Sequence, residues 1–264
     1  MIAARSRPTA VFAVFAVEAV FAWMLAAPWA ETFARTVGAH PDGDRALFWE
    51  PGAPMLLDVE HRIGGVLSAL FAATSIGLAV YALLSVLISG ALIAALMDDP
   101  LSRAIGRGAE TFWRMLAIGA TTIFASVVVF VLLGVLPAYG LAQRSQNPRI
   151  GLILAAIPLL LAFAVIVVIM ALGDLARARV VADDVSAVDA MMTSGRDRRA
   201  LGSQSLAALP RYIASIGLLG YGAALTTMAK SVLIIFLVHQ MIAVLRVALR
   251  ASVLARALRH VGVQ

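Results

Sequence analysis

Charged residues cluster along this chain, and between the clusters run long stretches with no charge at all: Ile63 to Met97, Met115 to Gln143, Ile150 to Gly173, Tyr212 to Ala229 and Ser231 to Leu245. Most of these reach the ~20 residues that cross a hydrocarbon core of ~30 Å. A further apolar segment, Thr9 to Ala30, is interrupted only by Glu18. The pattern predicts an all-α polytopic membrane protein, a bundle of about six transmembrane helices over 9–30, 63–97, 112–140, 150–173, 206–229 and 231–256. The first segment follows Arg5 and Arg7 and has small residues at Ala26, Ala27 and Ala30, as a leader peptide would. It is longer than the ~7 to 15 apolar residues of a leader and carries Glu18, so it is expected to stay as the first span.

Breakers divide the spans. Residues 31–62, with Pro41, Gly43, Pro51, Gly52 and Pro54, read as an external loop. The next apolar run has no Pro, Asn or Asp to make a turn, so it is expected as one helix of about 52 Å at ~1.5 Å per residue, tilted or projecting beyond the bilayer. Asp98, Asp99 and Pro100 end it, and Leu101 to Arg114 form a basic connection with an amphipathic turn. Asn147 and Pro148 mark the turn between helices three and four. Residues 174–205 read as a cytoplasmic amphipathic segment. There Ser186 and Asp189 have capping-box spacing, Val185, Val188, Met191 and Met192 fall on one side, and Gly195 is the stop before Arg196, Arg198 and Arg199.

Composition agrees with a lipid solvent: 62% of residues are hydrophobic, 14% charged, and mean hydropathy is +0.94. The net charge of +6 would point a soluble chain toward nucleic acid. Here no nucleic-acid partner is expected, because the distribution of the charge over the loops is a topology signal. Six spans place 15 basic residues inside against 6 outside (Arg35, Arg45, Arg62, Arg144, Arg149 and Lys230), whereas five give 11 against 9 with Lys230 stranded mid-membrane. The positive-inside rule therefore selects six spans with both termini cytoplasmic. Twenty of the 21 basic residues are Arg, and with abundant Ala and Val this suits a GC-rich bacterial genome and an inner (cytoplasmic) membrane. The chain has no Cys, which excludes disulfides and thiolate chemistry without fixing a compartment.

Ionisable side chains inside a bilayer are costly and are candidate functional residues by default: Glu18, His239, Gln240, Arg246 and Arg250. Glu18 and Arg246 both lie ~14 Å from the inner end of their helices at ~1.5 Å per residue, so a pair tying the first helix to the last is expected, as a staple or as part of a proton relay. Arg250, one turn beyond Arg246, is expected to snorkel toward lipid phosphate. His239 has no His, Asp or Glu at helical spacing and is expected in an interhelical hydrogen bond; no metal site is expected there. The acidic loop residues His40, Asp42, Asp44, Glu50, Asp58, Glu60 and His61 match no Ca or Zn loop and read as solvated.

No His begins a His-Glu-x-x-His motif. Gly173-Asp174 lacks the upstream glycine of a membrane aspartyl protease, Ser89-Gly90 has Leu87 where a rhomboid-type motif has Gly, and there is no P-loop. No catalytic residue and no cofactor are expected. Gly217, Gly220 and Gly222, with Ser85 and Ser89, are expected to allow close helix packing. Arg177, Arg179, Arg196, Arg198 and Arg199 are expected to contact inner-leaflet lipid or a membrane or cytoplasmic protein partner, such as an ATPase subunit.

Asp174-Leu-Ala-Arg-Ala-Arg-Val-Val-Ala-Asp183 and His239-Gln-Met-Ile-Ala-Val-Leu-Arg-Val-Ala-Leu-Arg250 resemble a broad group of bacterial six-helix membrane proteins with no settled activity. Members have Asp-x-Ala-Arg-x-Arg after helix four and Gln with spaced Args in the last helix; here Leu175 stands where an aromatic is common. The resemblance implies the six-helix topology and no catalytic residue. The expected function is a non-enzymatic scaffold or permease-like subunit, with a self-sufficient small-solute or ion transporter or channel as the rival.

Overall fold

The computed structural model describes residues 8–37, 53–97, 99–144, 147–228 and 232–262. Every regular element among them is helical: α1 Pro8–Val37, α2 Ala53–Leu96, α3 Leu101–Glu110, α4 Phe112–Val129, a π-helical turn Phe130–Val135, α5 Leu136–Arg144, α6 Pro148–Asp183, α7 Ala187–Arg196, α8 Arg198–Met228 and α9 Val232–His260. Expectations for Arg5, Arg7, Asp98, Lys230 and the residues of 38–52 lie outside these segments, and the side chains of Asp58, Glu60 and His61 are likewise not described.

Four helical runs are long and apolar enough to cross a membrane: Pro8–Thr32, Gly64–Leu96, Phe112–Arg144 and Arg149–Asp183. In each, no more than 17% of the most apolar window is buried within the protein. Side chains such as Trp113, Phe124, Leu152 and Leu160 are exposed, a surface that only lipid or another protein can solvate. Helices α8 and α9, 31 and 29 residues, reach about 45 Å at ~1.5 Å per residue.

Several elements run longer than the apolar pattern implies. Helix α2 spans 44 residues, beginning ten before Ile63. Helix α6 continues past Gly173 to Asp183, so the first third of the 174–205 segment is a continuation of the fourth long helix. Leu, Ala and Arg are strong helix formers, and nothing between Gly173 and Asp183 breaks the ladder. The helix ends on Asp184, whose φ of 54° is left-handed. Arg114 supports that turn: its Nη1 donates to the Asp184 and Val185 carbonyls at 3.0 and 3.2 Å, and its Nη2 meets the Asp184 carboxylate at 2.6 Å. Helix α8 starts at Arg198, where Asp197 Oδ1 accepts from Ala200 N at 3.0 Å, eight residues ahead of the apolar run.

The third long run keeps its course through a proline by widening. Pro137 has no N–H to give to the ladder, and just before it Leu136 N donates to Val131 O, an i→i+5 bond.

By contact the chain falls into two compact units. Ala16–Ser85 pairs α1 with α2 in antiparallel fashion: Phe21 meets Tyr81 (5.7 Å between ring centroids), Leu25 lies over Gly77, and Trp29 stacks edge-on against Phe71 at 5.0 Å. The Trp29 indole N–H donates to Thr74 Oγ1 at 2.7 Å, so the polar edge of the ring is satisfied. The other unit, Met1–Phe15 with Val86–Gln264, holds the main core. Ile93, Met115, Ile118, Leu175, Val180 and Leu254 are its largest fully buried apolar side chains. This core lies around the connections 97–112 and 183–198, at the end of the bundle that carries most of the arginines.

Candidate functional site

The core is built around one charged side chain. Asp174, on α6, has a fully buried carboxylate. Arg177, one turn on, reaches Oδ1 from Nη1 at 3.1 Å and is itself only 11% exposed. Arg250, from α9, grips both oxygens, Nη2 to Oδ1 at 2.7 Å and Nη1 to Oδ2 at 2.9 Å. Tyr212, from α8, donates its hydroxyl to Oδ2 at 3.3 Å. Three helices thus meet on one carboxylate, and the bidentate fork uses the planar geometry that suits Arg to this position.

Small residues let these groups approach. A Cβ at Gly173 would stand 2.7 Å from Thr122 Cγ2, and one at Gly119 would lie 3.6 Å from Arg177 Nη2, so α4 passes α6 where side chains are missing. The Thr122 hydroxyl, buried at this crossing, donates back to the Ile118 and Gly119 carbonyls at 2.9 and 3.0 Å. Tyr212 also lines a recess of about 410 Å³ with Ile123, Phe130, Phe163, Met170 and Ile216, and Ser126 is its other polar member.

The stretches Asp174–Asp183 and His239–Arg250 supply three of the four members of this cluster, Asp174, Arg177 and Arg250. Sequence reasoning missed its centre: Asp174 entered as a failed protease motif and as the first residue of a resemblance stretch, with no partner assigned to it. A signal was present, since no acidic residue follows Asp197 whereas Arg198, Arg199, Arg211, Lys230, Arg246, Arg250, Arg256 and Arg259 do. An arginine on α9 facing the core must therefore find its carboxylate on another helix.

The other predicted residues fall in several places. Arg250 does not snorkel; it is 31% exposed and turned onto Asp174. Arg177 and Arg179 are turned inward as well, the latter lying 3.9 Å from Asp197 with its Nε buried and unbonded. Both side chains are largely buried, Arg177 between Asp174 and Gly119 of α4 and Arg179 toward Asp197, so they offer little open lipid-contact surface. Arg196, Arg198 and Arg199 are exposed. Arg246 is exposed and donates from Nε to Ser215 Oγ at 3.1 Å. Glu18 and Gln240 are half-buried. His239 is half-buried too, beside Gly222, where a Cβ would stand 3.4 Å from its Nε2. Gly217 and Gly220 face open space, so of the three α8 glycines only Gly222 makes a close approach.

On α7 the Ser186 hydroxyl accepts from Asp189 N at 3.2 Å, as its spacing indicates. Val185 and Met191 pack on the core, while Val188 and Met192 remain exposed, so the four do not form one face. No cluster of three or more His, Cys, Asp or Glu side chains occurs among the described residues.

With helices as its regular elements among the described residues, apolar over four long spans and holding a buried ion-pair cluster, the chain is a multi-pass membrane protein. No family model, no curated protein and no solved structure matches it.

Proposed function

We propose that the chain is a non-enzymatic component of a bacterial inner membrane, a scaffold or permease-like subunit. It crosses six times with both ends in the cytoplasm and presents an arginine-rich inner face to lipid or to a partner protein. The observation that carries this reading is Asp174. Its two oxygens are committed to two guanidinium groups and a hydroxyl, which makes it a tie between α6, α8 and α9, with no free lone-pair geometry for proton relay or hydrolysis. The exposed Arg196, Arg198 and Arg199 beside exposed Val188 and Met192 suit a leaflet surface or a docking protein. The apolar lining of the recess beside Tyr212 favours a scaffold over a path for polar solutes.

Flux through purified protein in liposomes separates the two classes. A scaffold leaves proton, potassium and small-dye permeability at the level of protein-free vesicles. A flux above that level that Glu18→Gln or His239→Ala abolishes would establish the transporter instead.

A further inference from the structure

Away from Asp174, the cytoplasmic ends of α8 and α9 bring a second group of cations together. Arg256 Nη2 donates to Ser203 Oγ at 2.9 Å, and the same hydroxyl lies 3.4 Å from His260 Nε2. Arg256 and Arg259 both stand within electrostatic reach of Arg211, and both again of His260. Arg211 spends one N–H on the carbonyl of Ala207, a turn back on its own helix. Among the described residues no carboxylate is ion-paired with Arg211, Arg256 or Arg259, and the Arg256 Nε is buried without a hydrogen-bond partner. Asp197 is the one acid with an influence on His260, and it also faces Arg179.

Three like charges gathered without a counter-charge repel one another, and a buried guanidinium N–H without an acceptor is costly. The repulsion is relieved by a single ligand that brings anionic oxygens to the exposed Arg259 and the half-exposed Arg211 and Arg256. The surroundings define the rest of that ligand: Leu206 and Ile213, seven residues apart on a neighbouring face of α8, are 75% and 54% exposed. An anion with an apolar tail matches the arginines at one end and these side chains at the other.

We propose that Ser203, Arg211, Arg256 and Arg259 form a binding site for the phosphate of an anionic phospholipid, with its acyl chains along Leu206 and Ile213. The site is one defined position within the arginine-rich face described above and rests on that reading only for the leaflet that supplies the lipid. Basic pockets between helices at the cytoplasmic side suit such headgroups, each cation adding about fivefold to affinity near an anionic surface.

The test is native mass spectrometry of the detergent-solubilised full chain titrated with phosphatidylglycerol, phosphatidylcholine or inorganic phosphate. One phosphatidylglycerol is expected to be retained in preference to phosphatidylcholine, with retention falling about fivefold in Arg211→Gln and in Arg256→Gln and further in the double variant. Arg144→Gln/Arg149→Gln, at two exposed arginines remote in sequence from the site, is expected to retain the lipid like the unaltered chain, and near-native thermal midpoints identify the variants that remain folded. Equal retention of the two lipids, equal loss in the Arg144/Arg149 double variant, or saturation by inorganic phosphate with no preference for lipid would each overturn the proposal. Binding in detergent is blind to orientation, so a failure here leaves the topology standing, and an inverted topology would leave the binding intact.

Discussion

Asp174→Ala will destabilise the protein by about 3–5 kcal/mol, the loss expected when one partner of a buried ion pair is removed and the other is stranded. The substitution leaves Arg177, nearly fully buried, and Arg250 with their charges facing each other across an empty carboxylate position. It also removes the acceptor of the Tyr212 hydroxyl. Asp174→Asn keeps the volume and one acceptor oxygen but not the charge, and is expected to lie between Asp174→Ala and the unaltered chain. Arg246→Ala serves as the control: its bond to Ser215 is exposed, and exposed polar pairs are worth about 0–1 kcal/mol. Thermal unfolding in mild detergent, followed through tryptophan fluorescence, reads all three. An Asp174→Ala midpoint equal to that of Arg246→Ala would mean the cluster does not hold the helices together.

A second large effect is expected from a single methyl group. On α3, a Cβ at Gly108 would stand 2.8 Å from the backbone N of Ala91 and 2.9 Å from the carbonyl of Leu87, while one at Gly90 would meet Gly108 Cα at 3.1 Å. These are backbone atoms of α2, which no rotamer change can move. Gly108→Ala must therefore push α3 off α2, at a cost of about 1–3 kcal/mol. Gly106, two residues away on the same helix, has open space around its Cα. There alanine only limits the unfolded chain and favours the helix, so Gly106→Ala is expected to stabilise by about 0.5–1 kcal/mol. Opposite shifts in thermal midpoint for two identical changes on one short helix check the packing, and shifts of the same sign would contradict it.

Four of the six expected spans, 9–30, 63–97, 112–140 and 150–173, coincide with helices long and apolar enough to cross a membrane, because the bilayer leaves little choice: a run with almost no charge and enough length to cross ~30 Å has to be solvated by lipid. Ends were less legible. The break at Gly173 followed from the first charge after an apolar run, yet Asp174 is neutralised inside the protein, and a charge so paired does not end a helix. Depth along a helix can be counted from sequence. Azimuth cannot, and azimuth gives Arg250 to Asp174 and Arg246 to Ser215. The glycines follow the same rule: Gly222 meets His239 and Ile242 while Gly217 and Gly220 face away. What sequence did contain was the absence of any acid after Asp197, a global imbalance that local spacing rules do not register.

The six-pass reading, with the ion-pair end of the bundle in the cytoplasm, is open to one direct measurement. The natural chain has no cysteine, so a single introduced thiol reports its own position without background. Thr193→Cys, on α7, and Ser231→Cys, between α8 and α9, are each treated in intact cells with a membrane-impermeant maleimide. Six spans predict that Ser231→Cys is labelled at once and Thr193→Cys only after the membrane is permeabilised. Labelling of both from the same side would show that α8 does not cross, and labelling of Thr193→Cys alone from outside would invert the protein in its membrane.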